Sequence, residues 1–223
     1  MKKIIYLSIL LVLVLSLFLS QFFIRVRISC GTQYGECPRE ITDTLIMTNG
    51  KSIFQAKREI KKTLSSNFLT TKYTVQFKLP NTLKVDLSVR KPNLALKGNT
   101  PDSVALVDRE GMVLAINKST ILPTVTIQSE LPKVGEKVGS TSLTALTLIE
   151  GLNKMYQITT GVVQNDTLLV DLPAQVRVIF PLVDADSELL LGSLRLIYSS
   201  VQDAENKTLY NEIDMRYKNP VLR

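Results

Sequence analysis

Histidine and tryptophan do not occur in these 223 residues, and cysteine occurs twice. Without histidine there is no imidazole base, no Ser-His-Asp triad and no His-ligated metal site. The sequence has no phosphate-cradling glycine loop, no nucleophile elbow and no Cys-x-x-Cys pair. It also has no internal repeat and no low-complexity tract. A small acidic cluster, Asp184, Asp186 and Glu188, lacks the glycine and the spacing of a calcium loop and reads as a solvated turn before a helix. Asp166 and Asp171 read as turn residues flanking a strand. No catalytic, cofactor or metal site is expected, and catalysis is disfavoured.

What is present begins with an uncharged run, Ile4 to Ile24, dominated by Leu, Ile, Val and Phe. At ~1.5 Å per residue such a helix would reach about 30 Å, a bilayer core. The run ends in Gln21-Phe22-Phe23-Ile24 without the small-residue pattern of a signal-peptide cleavage site. The expectation is an uncleaved single-span membrane anchor. Lys2 and Lys3 favour a cytoplasmic N-terminus; Arg25 and Arg27 pull the other way. The expected layout is a cytoplasmic tail at 1–3, a transmembrane helix at 4–24, and the bulk of a single-pass protein outside the cytoplasm.

The net charge of +7 is unevenly spread. Residues 25–97 hold 14 Lys/Arg against 5 Asp/Glu, whereas 98–223 hold 11 against 15. Solvated lysine faces and attraction to anionic headgroups both fit this. Nucleic acid does not, because no basic run is interleaved with aromatics. Cys30 and Cys37 bracket a loop with Gly31 and Gly35 that can turn back. A disulfide in an oxidising compartment and two free thiols are both open readings.

Along the chain, Arg25–Ser29 reads as a strand. A helix opens at Pro38 and stops at Asn49-Gly50. A second helix buries Ile53, Ala56, Ile60 and Leu64 and turns Lys57, Arg58, Lys61 and Lys62 largely outward. Tyr73, Val75, Phe77 and Leu79 alternate with polar residues, as do Leu83, Val85, Leu87 and Val89, which predicts a hairpin around Pro80-Asn81-Thr82. The order strand, helix, helix, strand, strand makes a small α+β unit over 25–97.

That order resembles a POTRA domain, and the sequence is similar to the FtsQ/DivIB family of bacterial cell-division proteins. The family's opening of the second helix is matched by Gly50 followed by Ile53-Phe54, and its strand motif by Pro80, Thr82-Leu83, Val85, Leu87, Arg90 and Pro92. Leu106-Val107-Asp108, Gly111 and Val113 match the motif that opens the family's second domain, expected here over 98–223. A linker by composition falls at Gly98-Asn99-Thr100-Pro101. Beyond it are expected a hairpin at 104–116, a helix from about Ser142 to Tyr156, three strands around 162–163, 168–171 and 175–180, and a helix from about Ser187 to Val201. Leu191-Gly192 matches a pair the family places at such a helix.

Glu212-Ile213-Asp214-Met215-Arg216-Tyr217-Lys218-Asn219 is similar to the family's last strand. The expected fold class is thus α+β: one N-terminal transmembrane helix, a POTRA domain, then a mixed β domain with two helices. From Ile213 to Leu222 the chain reads as an imperfectly alternating edge strand, ending at Arg223 with no tail to cover it. An unpaired edge is a place to add a partner's strand. The resemblance implies partner contacts at Asp214, Arg216, Tyr217, Lys218, Asn219 and Val221. The other reading of Tyr217 is a core residue. The implied partners are coiled-coil division proteins of the FtsB/DivIC and FtsL types and, through them, the septal wall synthase. The implied role is a scaffold at the division septum. The alternative is a POTRA-containing envelope transport or secretion component.

Overall fold

The structure is a computed structural model and describes residues 6, 9, 11, 12, 24–100, 102–203 and 210–223. The chain divides into two compact units between Arg90 and Lys91. The first contains β1 (Arg27–Thr32), α1 (Arg39–Ile46), α2 (Ile53–Ser66), β2 (Thr70–Lys78) and β3 (Thr82–Val89). Its sheet has the order β1-β3-β2, with β1 parallel and β2 antiparallel to β3. The hairpin carries its apolar residues on alternate positions, so Leu83, Val85 and Leu87 point to one face and are buried. Ile41 and Leu45 of α1 and Ile53, Ala56, Ile60 and Leu64 of α2 complete that core. The Ser52 hydroxyl caps α2 by accepting from the Gln55 N–H. Lys57, Arg58, Lys61 and Lys62 lie exposed on the far side of that helix.

The second unit holds a nine-stranded mixed sheet of order β12-β11-β10-β9-β8-β7-β4-β5-β6. Its strands are β4 (Leu94–Lys97), β5 (Val104–Val107), β6 (Val113–Asn117), β7 (Thr124–Thr126), β8 (Thr160–Gln164), β9 (Thr167–Leu172), β10 (Val176–Pro181), β11 (Glu212–Asp214) and β12 (Val221–Leu222). Two helices, α3 (Ser140–Tyr156) and α4 (Ser187–Asp203), pack on each other and share one core with the sheet. The alternation of β9 and β10 puts Leu168, Val170, Leu172, Val176, Val178 and Phe180 into that core. Leu146, Ile149 and Leu152 of α3 meet them. Tyr198 of α4 stacks edge-on against Tyr156, with ring centroids 5.2 Å apart.

Short turns carry specific chemistry. Asn165 and Asp166 both have positive φ, 44° and 57°, and join β8 to β9 as a two-residue turn. At the β5–β6 turn the Asp108 carboxylate accepts from the N–H groups of Glu110 and Met112, and Gly111 takes a φ of 80°. A side chain there would be strained.

Two expectations are corrected. The fold class included a transmembrane helix, but among the described residues no helix is long and apolar enough to cross a membrane. The longest, α3 and α4, have 17 residues, about 26 Å where some 30 Å is needed. The run 4–24 on which the expectation rested lies outside the described residues apart from 6, 9, 11, 12 and 24. The single-pass membrane location drawn from that helix, with its N-terminus inside and its bulk outside the cytoplasm, is overturned with it. What stands is an α+β protein with four helices and a large mixed sheet among its described residues.

The boundary between the units also falls earlier than 97/98. Leu94–Lys97 pairs with both β5 and β7, so it belongs to the second sheet.

Candidate docking site at the C-terminal hairpin

Residues 212–223 fold into a hairpin on the edge of the large sheet. β11 runs parallel to β10, pairing Arg177 with Glu212 and Ile179 with Asp214. Ile213 and Met215 turn into the core. The chain then reverses through 216–219 and returns as β12, pairing Ile213 with Leu222 and Asp214 with Val221. The continuous edge strand expected from Ile213 to Leu222 is therefore two short strands. β11 is covered, and the outer edge is β12.

The reason lies in Asp214, whose side chain is fully buried. A buried carboxylate needs charge-assisted partners. Arg216 supplies them by folding back: its Nε donates to Oδ1 at 2.9 Å and its Nη2 to Oδ2 at 2.6 Å. The Arg216 N–H also donates to Oδ1, at 3.1 Å. Arg223 adds a longer contact, Nη2 to Oδ2 at 3.8 Å, and its Nη1 reaches Glu212 at 3.3 Å. The Arg216 side-chain hydrogen bonds hold the Asp214 carboxyl below the usual carboxylate range against the opposing effect of burial. In return Asp214 raises the affinity of the Arg216 guanidinium for its proton.

The fork bends the chain out of strand geometry and presents the next three residues. Tyr217 is 53 % exposed, which excludes the core reading, and the Arg216 guanidinium sits 6.0 Å from its ring centre. Lys218 and Asn219 are exposed and Val221 is half-buried. All six residues expected at the partner surface thus lie in one hairpin, in two roles: Asp214 is an internal anchor, whereas Tyr217, Lys218 and Asn219 face outward.

The backbone edge is narrow. Glu212 and Arg223 exchange hydrogen bonds of 3.0 and 2.9 Å, so the next pair, Ile213 and Leu222, is the non-hydrogen-bonded kind. Leu222 directs its N–H and C=O away from β11, and Pro220 has no N–H to offer.

The other sequence candidates fall elsewhere. Cys30 and Cys37 form a disulfide, with Cα atoms 5.8 Å apart. It closes a loop in which Thr32 and Gly35 exchange two backbone hydrogen bonds. Asp186 caps α4, its Oδ1 accepting from the N–H groups of Glu188 and Leu189. Asp171 pairs with Arg177 on the neighbouring strand at 3.0 Å. Among the described residues no group of three acidic or cysteine side chains converges as a metal site.

The chain matches no model of a protein family and no curated protein.

Proposed function

We propose that this chain is a non-catalytic scaffold of the FtsQ/DivIB kind in bacterial cell division. Its hairpin at 212–223 receives a coiled-coil partner of the FtsB/DivIC type, with an FtsL-type companion, and through them the septal wall synthase. The observation that carries this reading is the exposed Tyr217-Lys218-Asn219 tip, held by the fork of Arg216 on the buried Asp214 beside an open strand edge. A rigid exposed tyrosine flanked by polar residues suits a binding hot spot, since it adds area with little entropy to lose. The edge at Leu222 adds two backbone hydrogen-bonding groups. Strand addition is therefore short, and the hairpin tip supplies most of the contact.

Tyr217→Ala tests this. Binding to an FtsB/DivIC-type partner should weaken at least about tenfold, while circular dichroism and the unfolding midpoint stay unchanged. Unaltered binding by a folded Tyr217→Ala chain would reject the site. Depleting the chain from the cells that make it tests the role: filaments without septa are expected, and normal division would reject it.

A further inference from the structure

The outer face of α4 is not accounted for by the core that its inner face completes. Leu194 and Tyr198 are buried, and Leu190, Leu191 and Ile197 pack against the same core. On the opposite side Leu189 is 67 % and Leu196 72 % exposed. They stand seven residues apart, two helical turns, and so form one apolar row. Gly192 lies between them, and nothing comes within 4 Å of where its Cβ would be. Beside the row, Glu188 and Arg195 are exposed, again seven apart. Among the described residues neither has an ionic partner.

The order of these residues is self-complementary. In an antiparallel pair of α4 helices related by a two-fold axis near Gly192, residue positions invert about that point. Leu189 then meets Leu196 of the other copy, and Glu188 meets Arg195. A two-fold operation keeps each side of the helix on its own side, so leucines face leucines and charges face opposite charges. Both pairings share a centre at Gly192 to within half a residue, and the missing side chain there lets the two backbones approach. A parallel two-fold pairing would instead set the charged flank of one helix against the leucine flank of the other.

We infer that α4 is a homotypic contact surface and that its occupant is a second copy of this chain. The interface is isologous, each copy giving the same patch. A single helix pair covers less than the ~1,200 Å² of a standard stable interface. The association is therefore weak and depends on concentration. It uses a different element from the hairpin at 212–223 and stands or falls independently of the reading of that hairpin.

Charge reversal tests it, using full-length chains with two different tags co-expressed and captured through one tag. Wild-type copies should capture each other. Arg195→Glu alone and Glu188→Arg alone should each lose about tenfold of that capture, and a mixture of the two variants should recover it. Capture unaffected by either reversal, or no recovery in the mixture, overturns the proposal. Gly192→Cys supplies a second reading. It should give a reducible dimer on a non-reducing gel well above that of the exposed Lys57→Cys control. A yield no greater than the control overturns the proposal too.

Discussion

Arg216 grips Asp214 two residues before it with both arms of its guanidinium, at 2.9 and 2.6 Å, although the aspartate is fully buried and the arginine is 41 % exposed along its side chain. The pair sets the bend of the C-terminal hairpin and gives the second unit a specific sensitivity to acid. Asp214 titrates lower in the folded chain than its ordinary range, chiefly because Arg216 donates to it. Its contribution to stability is present above the unfolded value near ~3.9 and is lost as pH falls through the depressed folded value. Arg216→Ala removes the main cause of the depression, so the acid-unfolding midpoint should move to higher pH. A pH series of denaturation midpoints checks this; an unmoved acid limb would show that Arg223 suffices.

The disulfide between Cys30 and Cys37 closes a loop with a sequence separation of 7. Loop-closure entropy for so short a ring corresponds to ~2.5 kcal/mol. The double replacement Cys30→Ser and Cys37→Ser should lower the stability of the first unit by about that amount. Denaturation followed by probes in each unit should show the second unit unchanged.

Gly161 in β8 has no room for a larger side chain. An added Cβ would lie 2.9 Å from Leu168 Cδ1, 3.3 Å from Val170 Cγ2 and 3.4 Å from Ile149 Cδ1. Gly161→Val would overpack the centre of the main core and should cost about 1–3 kcal/mol. Urea denaturation is the measurement, and a neutral result would mean that α3 can shift away from the sheet.

Asp186 satisfies two otherwise unpaired N–H groups at the start of α4. Asp186→Ala should destabilise the second unit by ~1 kcal/mol. Asp186→Asn and Asp186→Ser should recover most of that loss, which a role in binding a cation would not allow.

Where one face of an element is buried and the other wet, the sequence announces the element. Tyr73, Val75 and Phe77, with Leu83, Val85 and Leu87, alternate cleanly because the three-stranded sheet packs on one side only. Ile53, Ala56, Ile60 and Leu64 keep helical spacing for the same reason. β4 gives no such signal: Leu94, Ala95 and Leu96 are all buried, so the period-two pattern vanishes in the middle of the large sheet. β7 has only three residues and follows Pro123, too short to show a period.

The six residues expected at the partner surface fall in one hairpin, but the geometry of that hairpin was not legible. The run from Ile213 to Leu222 looked continuous because nothing in its pattern reveals that Arg216 turns back on Asp214. Asn219-Pro220 is a turn signal and points to the reversal. The exposed leucines of α4 were hidden inside a run of apolar residues whose inner and outer members differ only by their place on the helix.

The parallel pairing of β1 with β3 sets Arg27 against Thr82 and Thr32 against Leu87. It joins strands that leave the ribosome far apart in time. At ~5–20 residues per second, β1 waits roughly 3 to 10 s before its partner has been synthesised. Through that interval the nascent chain carries an unsatisfied strand whose match does not yet exist. A pause in translation before β3 would prolong this state, and an early Cys30–Cys37 bond would keep the waiting strand tethered to the first helix.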